Sequence, residues 1–254
     1  MAAQQEMRVI TISRQYGSGG GEIAVRVAKR LSWQLVDHEI VAQVARRLGI
    51  TEEEASIHDE RVEGFIARAL NALQIAVPVV PLSPTTSPAQ EERVYHEALR
   101  QVVETAANAG NVVIVGRAGQ SFLAQRRDVL HVRVVAPLQQ RIAYVAQREG
   151  LDEATAQARI ATKDRDRARY LQTQHHLNVN DPLLYDLIIN THVIDLEGAV
   201  DLILLALERK GRMLGVPTGQ LGAVTGLPRY PGRPGDLRPP TSNQPSGPLP
   251  ETGQ

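Results

Sequence analysis

Cysteine is absent from the 254 residues, which excludes disulfides, thiolate metal sites and a thiol nucleophile. Net charge is absent too. The 28 lysines and arginines balance 28 acids, so bulk attraction to nucleic acid or to an anionic membrane has no source. No apolar run approaches the roughly 20 residues that a membrane-spanning helix needs. The opening residues, Met1-Ala2-Ala3-Gln4-Gln5-Glu6, are too polar for a signal-peptide core. Neither G-x-S-x-G nor H-E-x-x-H occurs, which weighs against a serine hydrolase or a zinc protease. The seven histidines form no site, and the adjacent His175 and His176 point apart on any regular element. These absences predict a soluble cytoplasmic protein with no nucleic-acid or membrane partner, and they assign no metal ligand.

What is present is a layered α/β pattern. From Met7 to about Arg212 strand-like and helix-like segments alternate. Strands are expected at residues 9–13, 34–37, 112–115, 129–135 and 184–190. Helices are expected from about 20 to 31, from 38 to 48, from 51, from 91 to 109, over 138–149 and 152–170, and over 197–209. On the first of these helices Ile23, Val27 and Leu31 recur every four residues, which places them on one face. Residues 75–90 hold four prolines and read as a loop or crossing segment. Nine of the chain's fifteen prolines fall in 215–254. That segment has too little apolar surface to offset its ordering entropy and is expected to be a disordered tail. The functional alternative is a docking segment for a partner.

The chemistry starts at Gly17-Ser18-Gly19-Gly20-Gly21-Glu22, between the first strand and the first helix. Glycines let backbone N–H groups turn inward, and the helix start adds partial positive charge, so the order strand, glycine loop, helix is an anion cradle suited to a phosphate chain. A bland flexible turn is the alternative. The usual loop, G-x-x-x-x-G-K-[ST], has a lysine where this chain has Gly20. Arg14, six residues earlier, can supply a planar fork for phosphate oxygens in its place.

A second cluster is Arg159, Lys163-Asp164-Arg165-Asp166-Arg167 and Arg169. On a helix Arg159, Lys163 and Arg167 share one face, with Arg165 and Arg169 in a row beside it. The row is either a solvated face braced by Asp164 and Asp166 or a lid whose cations close over a phosphoryl group. Asp37 and Arg117 follow the second and third strands, at the strand ends where open α/β sheets bind ligands. Asp37 also suits a helix N-cap, and both roles are open.

Together, Ile12-Ser13-Arg14-Gln15-Tyr16-Gly17-Ser18-Gly19-Gly20, Val36-Asp37-His38-Glu39, Ile114-Val115-Gly116-Arg117, Asp164-Arg165-Asp166-Arg167 and Tyr185-Asp186-Leu187-Ile188-Ile189-Asn190-Thr191 resemble the cytidylate kinase-like family. The resemblance covers roughly residues 7–210. More distantly the chain is similar to bacterial cytidylate kinases, which transfer the γ-phosphoryl of ATP to CMP or dCMP.

The resemblance implies a three-layer α/β P-loop kinase fold, with a parallel sheet, helices on both faces and a helical lid. It implies a flexible N-terminus over 1–6 and a kinase-like domain over 7–214. Within that domain an acceptor-binding insertion is expected at about 38–95 and a lid at about 150–172. By motif position Ser13, Gly17, Ser18, Gly19, Gly20 and Gly21 would hold ATP phosphates, with Mg²⁺ as cofactor, oriented by Ser13, Ser18 or Asp37 through water or held only by phosphates and water. Asp37 and Arg117 would face the acceptor, and Arg14, Arg165, Arg167 and Arg169 would serve the transfer. The alternatives are a non-catalytic nucleotide-binding regulator and a kinase for another small acceptor. The chain departs from the pattern at Gly20, at Gly21 where the family commonly has a basic residue, and at Val115 and Ala118 where bacterial cytidylate kinases have acids.

Overall fold

A computed structural model of the chain describes residues 6–37 and 88–221, side chains of 88–95 and 98 excepted. The chain divides into two units, Met1–Leu214 and Gly215–Gln254. Of the second, a 3-10 turn at Thr218–Gln220 is described. Most of the expected insertion (38–87) and tail (222–254), and the helices expected over 38–48 and from 51, lie outside the described residues.

Five strands form one parallel sheet: β1 (Val9–Arg14), β2 (Gln34–Val36), β3 (Val112–Val115), β4 (Val129–Val135) and β5 (Leu187–Asn190), in the order β2-β3-β1-β4-β5. The helices are α1 (Gly20–Leu31), α2 (Pro88–Ala109), the short α3 (Gly119–Phe122), α4 (Leu138–Glu149), α5 (Glu153–His175) and α6 (Leu196–Arg212). β1 alternates its side chains between the two faces. Ile10 and Ile12 pack with Ile23 and Val27 of α1 and Val200 and Ile203 of α6. Val9 packs with Val102, Val103 and Ala106 of α2 on the other face. Those two apolar layers make the three-layer α/β architecture expected from the sequence. A third cluster, Ile142, Val145, Ala156 and Ile160, joins α4 to the first turns of α5.

Several boundaries differ from expectation for local reasons. α2 begins at Pro88, since proline suits the first turn of a helix, where its missing N–H is not needed. α5 starts where the Asp152 carboxylate accepts from the Thr155 N–H, and it runs to His175, beyond the expected 170. β5 starts at Leu187 rather than 184, because Asp181 caps a 3-10 turn over Pro182–Leu184. α3 was not foreseen; it follows a turn in which Gly116, Arg117 and Ala118 all have positive φ. Among the described residues no helix is long and apolar enough to cross a membrane.

The face of β1 and β4 that meets α3 is not uniformly apolar. Thr11 stands beside His131 and Ser13 beside Arg133 in the strand register. His131 is buried, with Nδ1 2.7 Å from Thr11 Oγ1, and burial holds its pKa down at about 4. The folded protein therefore binds the His131 proton less readily than the unfolded chain, whose histidine titrates near 6.5. Stability from this residue is complete above about pH 6.5 and drains away as pH falls towards 4. We expect His131→Gln to flatten the fall in melting temperature over that window, and parallel wild-type and variant curves would disprove it.

Candidate functional site

The chain connection diverges at the carboxyl ends of β1 and β4: β1 leads to β2 beyond β3, and β4 leads outward to β5. Such a switch point leaves a crevice above the strand ends. A cleft of about 830 Å³ lies there, lined by Ser13 to Tyr16, Gly116 to Ala118, Arg133, Lys163 to Ala168, and Val179 and Asn180 among others.

Six of its lining side chains are cationic (Arg14, Arg117, Arg133, Lys163, Arg165, Arg167) and two are carboxylates. One of the two is already engaged. Asp164 accepts from the Tyr16 N–H at 2.8 Å and from Arg141 Nη1 at 2.5 Å, and Arg167 Nη1 lies 3.6 Å away. Among the described residues the cleft lining therefore carries a surplus of positive charge, although the whole chain is neutral.

Arg14 is the centre of this surplus. Its stem crosses Gly20: a Cβ on that glycine would stand 2.6 Å from Arg14 Cβ and 3.2 Å from Cγ. Its guanidinium ends against Gly116, where a Cβ would come within 1.9 Å of Nη1. Two glycines thus clear the path of one arginine, and the first occupies the position where the usual loop has lysine. Arg14 does not fold back over the glycine loop; it lies across the β1 and β3 ends. Burial and the nearby charges of Arg167 and Arg117 push its pKa down to about 9, against the pull of Asp37. Arginine keeps its proton at neutral pH, so the shift records the cost of burying that charge beside two other cations, which Asp37 only partly offsets.

Arg167 donates to the Arg14 carbonyl at 3.3 Å and lies 5.4 Å over the Tyr16 ring. Burial lowers its pKa also, ahead of the opposing pull of Asp164 and the push of Arg133 and Arg117. Arg117 has φ 54° and Ala118 φ 51°. Left-handed backbone in two consecutive non-glycine residues costs about 1–2 kcal/mol each, and such strain gathers at ligand-binding turns.

The glycine loop itself is a packed turn. Gly17 and Gly19 adopt φ 79° and 77°. A Cβ on Gly17 would meet Val145 at 2.8 Å, and one on Gly19 would meet Leu196 at 2.8 Å. Ser18 Oγ donates towards the carbonyls of Gln15 (2.9 Å) and Val134 (3.2 Å). The loop is stitched to β4 again by Gln15, whose Oε1 accepts from the Ala136 N–H at 3.0 Å.

Of the residues singled out from sequence, Ser13, Arg14, Arg117, Arg165 and Arg167 meet at the cleft, and Asp37 lies within electrostatic reach of Arg14. Gly17 to Gly21 are not among the lining residues of the cleft, and Arg169 is exposed outside it. Arg159 pairs with Glu149 instead of joining Arg167. The sequence reading missed Arg133 and the reach of Asp164 to the loop. Arg133 had a signal: a charged residue at an alternate position of an otherwise apolar strand of a parallel sheet, where both faces are normally covered.

The far end of α5 is held by rings. His175 Nδ1 is 2.6 Å from Ser121 Oγ, and His96 Nδ1 is 2.9 Å from Tyr170 Oη. Burial, then the neighbouring His96, lowers the His175 pKa. No cluster of three or more His, Asp or Glu side chains fit for a metal occurs among the described residues. Ser18 spends its hydroxyl proton on loop carbonyls, and Ser13 Oγ accepts from Arg133 Nη1 at 2.9 Å. The cationic part of this donor set fits phosphate oxygens.

A family model described as the cytidylate kinase-like family matches residues 9–193. A cytidylate kinase from Archaeoglobus fulgidus is 28% identical over 202 residues, covering 79% of this chain and 95% of that protein. A uronate isomerase from Corynebacterium glutamicum is 30% identical over 122 residues, 48% of this chain, and the chain matches only 23% of that protein's length. The crystal structure of an uncharacterized protein from Eubacterium ventriosum superposes with a TM-score of 0.58 at 20% identity, covering 79% of this chain and 98% of that one. At that identity the likeness is one of fold.

Proposed function

The chain belongs to the cytidylate kinase-like family, and we propose that it transfers the γ-phosphoryl group of ATP to a nucleoside monophosphate, CMP or dCMP first. At the coarser level it is a kinase-like phosphotransferase with an α/β kinase fold. The observation that carries the reading is the cationic cleft at the β1 and β4 ends, with Arg14 running through the space beside Gly20.

In this reading Arg14 and the N-terminus of α1 bind the donor phosphates, whose charge both complement. Arg167, and Arg165 beside it on α5, gather the charge that spreads over the transferring group. Arg117 and Asp37 orient the acceptor. No strong general base is needed, because a monophosphate oxygen is already ionised at neutral pH and attacks the γ-phosphorus as the bond to the β-phosphate oxygen breaks. Mg²⁺, supplied with ATP, would neutralise phosphate charge.

The test is ADP release by the full chain from Mg·ATP with CMP, dCMP, UMP, AMP or no acceptor. Turnover dependent on CMP or dCMP is expected. ATP binding with silence across the panel would instead favour a nucleotide-binding regulator. One observation supports that second reading: the Tyr16 N–H in the loop is already occupied by a carboxylate, Asp164.

A further inference from the structure

We propose that Arg133, with Ser13, is a phosphate-oxygen anchor on the floor of the cleft, a role that rests on the phosphotransferase reading. Arg133 projects from the middle of the sheet and is only 5% exposed. A buried guanidinium normally finds a carboxylate, because desolvating an unpaired charge costs several kcal/mol. Here none lies within ion-pair distance among the described residues. Its partners are neutral oxygens: Ser13 Oγ at 2.9 Å and Tyr185 Oη at 3.4 Å from Nη1, and Asn180 Oδ1 at 3.1 Å from Nη2. The Tyr185 ring lies beneath the guanidinium, 5.5 Å from centroid to Cζ.

Those contacts orient Arg133 through neutral oxygens and do not neutralise its charge. Tyr185 Oη donates to the Val179 carbonyl at 2.9 Å, which fixes the ring and its oxygen as an acceptor. Asn180 turns its carbonyl oxygen, not its amide, towards Arg133. Ser13 accepts from Arg133, and because the Tyr185 proton goes to Val179, Ser13 donates only a long 3.4 Å bond to Tyr185 Oη, which a closer ligand oxygen can displace. Arg133 and Ser13 both line the cleft, and Arg133 is close enough to Arg167 to depress the latter's affinity for its proton. Arg167 has Asp164 as a counter-anion 3.6 Å away, whereas Arg133 has none among the described residues, and a ligand dianion would offset the repulsion between the two guanidiniums. A phosphate group matches the arginine fork in charge and geometry.

The phosphate has two possible sources, the acceptor monophosphate and the donor chain. Calorimetry on the full chain distinguishes them, using inorganic pyrophosphate, CMP against cytidine, and a non-hydrolysable ATP analogue. Arg133→Gln is expected to weaken pyrophosphate binding tenfold or more, with Arg133→Lys intermediate and Ser13→Ala weaker by a smaller factor. A matching loss for CMP but not cytidine assigns the anchor to the acceptor. A loss confined to the ATP analogue assigns it to the donor.

If Arg133→Gln lowers the melting temperature but binds pyrophosphate within twofold of wild type, Arg133 is a structural residue and the anchor is wrong. Should Arg133→Gln fail to fold, unchanged pyrophosphate affinity in both Arg133→Lys and Ser13→Ala would overturn the anchor. If pyrophosphate binding depends on Arg133 while no monophosphate is ever phosphorylated, the anchor stands and the kinase reading falls. A wild-type protein that binds none of the probes refutes the anchor.

Discussion

Replacing Arg14 by alanine should reduce ATP affinity or kcat at least tenfold while making the ligand-free protein more resistant to heat. Two opposite effects come from one cause. The guanidinium is held partly buried beside Arg117 and Arg167, which pushes its pKa down to about 9. Removing it relieves that repulsion in the empty protein and removes the cation that a phosphate chain would meet. Such a residue trades stability for binding. The control must avoid Gln15, whose side chain accepts from the Ala136 N–H and so supports the loop. Arg30→Ala serves instead, since Arg30 is exposed and pairs with Asp201 between α1 and α6. The checks are melting temperature and ADP release, run on both variants. An Arg14→Ala protein that turns over like Arg30→Ala would remove Arg14 from the chemistry. One that melts lower would remove the electrostatic account.

Restoring the usual loop lysine should inactivate the protein rather than improve it. In Gly20→Lys the new Cβ would lie 2.6 Å from Arg14 Cβ, and that atom cannot swing aside as a side-chain tip can. Overpacking of this kind costs about 1–3 kcal/mol, and it would push Arg14 off its path to Gly116. Taking Arg14 away first should open the space. The double variant Arg14→Gly/Gly20→Lys is therefore expected to melt higher than Gly20→Lys alone and to regain part of the activity, because one cation replaces another. The four proteins form a double-mutant cycle whose coupling term reads the contact directly. Additive effects on melting and turnover would show that Arg14 and Gly20 do not compete for the same space.

The layered α/β class and the helix α1 were legible because their signals are local. Alternating apolar residues in β1 and a four-residue repeat in α1 need no distant partner to be recognised. Arg14, Arg117, Arg165 and Arg167 were legible as candidates for a related reason: each sits in a short motif at a strand end or on a cationic helix row. Their association was not. Arg14 and Arg167 lie 153 positions apart in the chain yet share a hydrogen bond, and only the docking of α5 across the β1 end brings them together. Arg169 is two residues from Arg167 and illustrates the same limit, since helical rotation leaves it exposed and outside the cleft. Asp164 looked like a brace for its helix and proved to be a ligand for the Tyr16 N–H.

By itself the sequence determined that the chain has strands and helices in alternation, a glycine turn before α1, no thiol chemistry and a local excess of arginine in a neutral chain. These follow from composition and from interactions spanning a few residues. The tertiary structure alone decided that Gly20 is the space for the Arg14 stem and that Gly116 is the space for its head. It also decided that Arg133 lies beside Ser13 with no carboxylate in ion-pair distance among the described residues. The reason is physical: parallel pairing sets β1 against β4 in a register that places Ser13 opposite Arg133. Close packing then converts that register into contacts between residues that sequence spacing keeps far apart.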